Sequence, residues 1–176
     1  MILRKINACV SLLTTIMLLK HAIFNAVWML SGCSIEKPVN GMSHIMFVLM
    51  MVHAIISIFL GVLGHKGAEK RKCNNYANLN KSTNIQRMSG VFLIPLTVLH
   101  IAGTLGFIQP PKLVHAMLPP IFFAVALMHV AISTGRAFIT LGIGNARLFK
   151  VVDITVKVIC GATFIADITG FYLYVC

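Results

Sequence analysis

Apolar residues run along this chain in five long blocks, near residues 6 to 31, 42 to 64, 88 to 109, 113 to 135 and 151 to 175, separated by short polar segments. Each block has the roughly 20 residues that a helix rising about 1.5 Å per residue needs to cross a bilayer. The blocks do not alternate at every second position, as strands of a membrane barrel would, so the pattern predicts five transmembrane helices. Short connections make consecutive helices antiparallel neighbours in one bundle, a single domain over residues 1 to 176. The one sizeable polar segment, "HKGAEKRKCNNYANLNKSTNIQR" at residues 65 to 87, is basic and lacks hydrophobic period, and is expected to be a cytoplasmic loop.

Composition agrees with this reading: 58% of the residues are hydrophobic and 11% charged, which excludes an ordinary soluble domain. Of fifteen Lys and Arg, eleven fall on one side of the predicted membrane: Arg4, Lys5, Lys66, Lys70, Arg71, Lys72, Lys81, Arg87, Arg136, Arg147 and Lys150. Only Lys37 and Lys112 fall on the other side, while Lys20 and Lys157 lie within apolar runs. The positive-inside rule therefore places the N-terminus in the cytoplasm and the C-terminus outside, and the net charge of +11 needs no nucleic acid to explain it. Trp28, Tyr172 and Tyr174 sit at outer helix ends, as interfacial aromatics do. The first block continues past Trp28 without a small-residue cleavage pattern, so it is expected to stay as a helix rather than leave as a signal peptide.

The five cysteines form neither CxxC nor CxxCH, which argues against covalently attached haem, iron–sulfur ligation and structural zinc. Cys33 and Cys176 both fall near the outer face and are the two that an oxidising compartment could pair; unpaired small apolar residues are the plainer expectation.

Four of seven histidines lie inside apolar blocks, one on each of the first four: His21, His53, His100 and His129. Ionisable groups are costly in lipid and face the bundle interior or a partner. Counted from the outer helix ends at about 1.5 Å per residue, His21 and His100 lie roughly 14 to 15 Å deep and His53 and His129 roughly 18 and 25 Å deep, with a bend at Pro119 and Pro120 or tilt accounting for the mismatch. This suggests an outer pair, His21 with His100, and an inner pair, His53 with His129. Two neutral imidazoles facing one another across a helix bundle suit axial ligation of a haem iron, with small residues such as Ser57, Gly103, Ser133 and Gly135 leaving room for the macrocycle. A zinc site would want three or four ligands at one depth, and a proton relay would want more carboxylates along one path. His44, His65 and His115 sit at predicted helix ends and read as interfacial residues, and Asp153 with Lys157, spaced i,i+4, as a self-neutralising pair.

The segments "LLKHAIFNAV", "MMVHAIISIFLGV", "QRMSGVFLIPLTVLHIAGT" and "LMHVAISTGRAFITLGI", followed by a fifth helix, resemble the five-helix dihaem cytochrome b subunit of succinate:quinone oxidoreductases, which include succinate dehydrogenases and fumarate reductases. The resemblance covers the order of all five helices, the four histidines, Asn25 four residues after His21, and the QRxSG pattern before the third helix. It implies two b-type haems, the inner on His53 and His129 and the outer on His21 and His100, with Gln86, Arg87 and Ser89 near the propionates of the inner haem and Lys20 near those of the outer. It also implies a multi-pass subunit of the cytoplasmic membrane and respiratory chain that is not an enzyme by itself. Its partners would be a flavoprotein with FAD and an iron–sulfur protein over the basic loop, and a quinone, menaquinone among the members most resembled. For the quinone headgroup, Glu36, His44 and Asp167 are the candidate hydrogen-bonding residues. Two alternatives stay open: the cytochrome b anchor of a different dehydrogenase, such as a formate dehydrogenase or a hydrogenase, and a haem-free histidine-lined transporter of protons or metal ions.

Overall fold

A computed structural model describes residues 2–32, 41–68, 77–108, 112–143 and 145–175, and among them the chain is helical throughout. The elements are α1 (Ile2–Leu30), α2 (Gly41–Ala68), α3 (Ala77–Thr104), α4 (Lys112–Leu141) and α5 (Ala146–Val175). Long apolar runs fold this way because a helix satisfies every backbone N–H and C=O within itself, the one economical solution where water is absent. Four of them, all but α5, contain stretches long and apolar enough to cross a membrane. α5 is interrupted by Asp153, Lys157 and Asp167.

The segment at residues 65 to 87 corrects an expectation. It is not one loop: α2 runs on to Ala68 and α3 begins at Ala77, eleven residues before the apolar block does. Hydrophobic period marks where a helix meets apolar surroundings, and a solvated helical turn needs none, so the polar extensions were invisible to it. At the other ends, α3 and α4 close in the same manner. Gly106 (φ 74°) and Gly142 (φ 75°) adopt the left-handed conformation. The N–H of each returns to a carbonyl three residues back, and that of the next residue to a carbonyl five back, at 2.9 to 3.2 Å. This caps carbonyls that would otherwise be left unpaired.

α1 organises the bundle, packing against α2, α4 and α5, while α4 packs against α3 and α5. Its buried positions, Ala8, Ser11, Thr15, Ala22 and Ala26, form a stripe of small residues that lets neighbouring backbones come close. The tightest approach is at Gly170 of α5, where an added Cβ would lie 2.8 Å from Met29 Cβ. Leu127 and Val130 of α4 and Cys160 of α5 form the core with Leu18 and Leu19 of α1. Hydroxyls in these apolar helices bond back to their own turn, Thr14 to Val10 O and Thr134 to Val130 O, both at 2.8 Å. Each outlying helix has one seam, α2 on α1 and α3 on α4. No packed seam joins α1 to α3 or α2 to α4 among the described residues. Those are the two pairs of helices that carry the histidines expected to pair.

Candidate functional site

His53 of α2 is held by α1. Its Nδ1 lies 3.1 Å from Asn7 Oδ1, and Asn7 is fixed in turn by donating from Nδ2 to Ser57 Oγ at 3.1 Å. An amide oxygen has no proton to give, so the shared proton belongs to His53 Nδ1, and Nε2 keeps its lone pair. His129 of α4 is held by α3 in the same sense. Its Nδ1 lies 2.9 Å from Ser89 Oγ, whose own proton is donated to the carbonyl of Gln86 at 3.0 Å. The hydroxyl therefore accepts from His129 Nδ1, and Nε2 again carries the lone pair. Ser89 is 3% exposed, so no solvent competes for this bond.

Close approach of α3 to the His129 ring depends on Gly90, where a Cβ would stand 3.2 Å from His129 Cε1. Of the small residues expected to leave room for a macrocycle, Ser57 stands beside His53 through Asn7, while Gly135 and Ser133 meet other groups. Gly135 faces Asp153 of α5, Gly103 has open space beside it, and the Ser133 hydroxyl turns back to Val130 O at 3.4 Å. The residue that gives the His129 ring its room is on the partner helix.

The two histidines of each expected pair lie within electrostatic reach of one another, His129 of His53 and His100 of His21. The two expected pairs are separated along their helices. Asn7 and His21 are fourteen residues apart on α1, about 21 Å, and Ser89 and His100 eleven apart on α3, about 16 Å. This spacing is wider than counting from helix ends gave. The ends are not level: α2 starts only about 18 Å from its His53, short of the height of His21.

The outer layer differs in chemistry. His21 Nε2 is 2.9 Å from Asn25 Nδ2, so the amide donates into the lone pair that a metal would need. His100 stacks on Phe122 with ring centroids 4.7 Å apart and planes 11° from parallel. Lys20, exposed next to His21 in the chain, has its ammonium 5.8 Å from the Phe24 ring centroid.

Toward the inner end, Arg136 lies two turns from His129 on nearly the same face of α4. It donates from Nη1 to Gln86 Oε1 at 3.0 Å and from Nη2 to Thr83 Oγ1 at 2.6 Å, binding α4 to the start of α3. Arg87 is exposed beside it. Sequence reasoning counted Arg136 only as a charge and passed over Asn7. The signals were the seven-residue step from His129 to Arg136, and a lone amide in an apolar run four turns from His21.

Of the quinone candidates, Glu36 lies outside the described residues, and His44 is exposed on α2. Asp167 is 0% exposed and neither carboxyl oxygen has a hydrogen-bond partner. It lies one turn before Gly170, so a headgroup reaching it must part α5 from its neighbours. Asp153 and Lys157 pair as expected, 2.5 Å apart. Cys9 and Cys160 are free thiols, whereas Cys33 and Cys176 lie outside the described residues, as do the side chains of His65 and His115.

These groups can be tested for fit to a haem. Axial ligation takes an imidazole nitrogen lone pair on each side, with the other ring N–H anchored to orient the ligand. The inner pair meets this: two anchored Nδ1, two open Nε2, small residues around both rings, and a pair of helices without a packed seam. The outer pair does not meet it as arranged, because Asn25 occupies His21 Nε2. Among the described residues, no three His, Cys, Asp or Glu side chains gather as a metal cluster. Comparison with protein families, curated proteins and solved structures finds no match to this chain.

Proposed function

We propose that this chain is the membrane anchor and electron-transfer subunit of a cytoplasmic succinate- or fumarate-converting oxidoreductase, holding two b-type haems and connecting flavoprotein and iron–sulfur subunits to a membrane quinone, menaquinone by resemblance. The observation that carries the reading is the inner imidazole pair, in which Asn7 and Ser89 fix both tautomers so that both Nε2 lone pairs are open. A histidine-lined transport path has no need of two matched tautomers.

Iron held by protein nitrogen on both sides supplies one-electron transfer without binding oxygen. The residues of the chain do the rest. Asn7 with Ser57 orients His53, and Ser89 with Gly90 orients and admits His129. Gln86 and Arg87 offer donors and charge to the inner propionates, and Arg136 holds Gln86 through its Oε1; the Ser89 proton is already given to the Gln86 carbonyl, so Ser89 serves the His129 ring instead. At the outer layer, ligation by His21 requires the Asn25 amide to turn away from Nε2, while Phe122 keeps the His100 ring flat against α4. All five helices cross the cytoplasmic membrane in this reading, α5 because it packs along α1 and α4. The basic inner ends of the helices face the partner subunits.

The test is a visible spectrum of the purified chain, reduced minus oxidised. Two low-spin b haems per chain are expected, and co-purified flavoprotein and iron–sulfur subunits identify the dicarboxylate reaction. A folded, colourless protein overturns the reading in favour of transport, and co-purified formate dehydrogenase or hydrogenase subunits overturn only the choice of substrate.

A further inference from the structure

His21 and Asn25 lie one turn apart on α1, so their side chains stand one above the other on the same helix face. The Asn25 amide nitrogen is 2.9 Å from His21 Nε2. An amide nitrogen has protons and no free lone pair, so it donates and His21 Nε2 accepts. In a neutral ring the proton is then on Nδ1. That is also the tautomer of His53 and His129, whose Nδ1 atoms meet Asn7 and Ser89. His21 therefore has the tautomer that ligation through Nε2 requires, with the lone pair already engaged.

The contact is made within α1, so it forms wherever α1 is helical and needs no register between helices. Opposite it, the His100 ring is set by stacking on Phe122, 11° from parallel. His21, His53 and His129 are all half-buried, so what separates His21 from the inner pair is its bond and not its burial.

We propose that Asn25 is a latch on the outer site, capping His21 Nε2 until iron takes the lone pair, so that the chain fills its inner site before its outer one. The inference rests on the haem reading and adds an order to it. Releasing the amide gives up one side-chain hydrogen bond, which lowers affinity by about 2- to 12-fold. The inner rings give up nothing of the kind, because Asn7 and Ser89 engage Nδ1, the nitrogen that ligation does not use. By keeping the proton on Nδ1, Asn25 also readies the ring that it blocks.

Two measurements on the full chain test this. In haem-depleted protein, diethyl pyrocarbonate attacks imidazoles at a free nitrogen lone pair, and mass spectrometry gives a rate for each histidine. Asn25→Leu and Asn25→Ala should each raise the rate at His21 by about 2- to 12-fold and leave those at His53 and His129 unchanged. In a haem titration, the unsubstituted chain should fill the inner site first, with His100→Ala identifying the outer component. Asn25→Leu should then tighten the outer site by about 2- to 12-fold and leave the inner one as it was. An unchanged His21 rate in both variants overturns the proposal, and so does an outer site that fills first in the unsubstituted chain. Failure of the haem reading shows separately, as a chain that takes up no haem while the His21 rate still rises; the loading order then falls and the latch stands.

Discussion

Replacing Ser89 with Ala takes away the hydroxyl that meets His129 Nδ1 at 2.9 Å, at a position 3% exposed. Its burial keeps solvent from replacing that bond, whose loss costs about 1 to 3 kcal/mol. Part of that cost is paid only when the ring must hold one orientation for a ligand. Losing the anchor of a metal-ligating histidine lowers affinity by about 10- to 100-fold, or about 1.4 to 2.8 kcal/mol at 1.4 kcal/mol per decade, in the same range. The assay is spectrophotometric titration of haem-depleted protein with haem. Ser133→Ala is the control: it removes an equally buried hydroxyl from α4 one turn from His129, but one that bonds only to its own helix. The inner site should weaken by about 10- to 100-fold in Ser89→Ala, with Ser133→Ala and the outer site unchanged. Equal effects of the two substitutions would refute the reasoning, because burial rather than the imidazole contact would then explain them.

Further outcomes follow from the same geometry. Asn25→Leu removes the amide that donates to His21 Nε2, so haem binding at the outer site should hold or strengthen in the same titration, whereas His21→Ala abolishes it. Gly90→Val places branched carbon where even a Cβ lies 3.2 Å from His129, so it should cost the inner haem while leaving the outer one, read from the reduced spectrum. Gly170→Leu forces α5 off Met29 and should lower stability by about 1 to 3 kcal/mol in a thermal melt, without altering haem stoichiometry in the folded fraction.

Helix number was legible in the sequence because it is written in a long, repeated signal, apolar length. The anchors were not. Whether Ser89 meets His129 depends on the register between α3 and α4, and Asn7 finds His53 only because α1 and α2 pass at that height; neither follows from spacing within one helix. The resemblance did point to Ser89 and Gln86, though as propionate partners, and the structure adds that Ser89 meets the His129 ring. The separation of the two expected pairs along the helices was underestimated for a related reason, since counting from helix ends assumes that the ends share a plane. Arg136 and the polar turns at residues 65–68 and 77–87 went unrecognised because each lies where apolar periodicity has already stopped.

The most direct measurement is haem content in four single variants, His21→Ala, His53→Ala, His100→Ala and His129→Ala, by pyridine haemochrome with a redox titration of each. Two haems in the parent chain should fall to one in every variant. His53→Ala and His129→Ala should lose the same redox component, and His21→Ala and His100→Ala the other. A parent without haem, or losses that group His53 with His21 or His100 instead, would contradict the account.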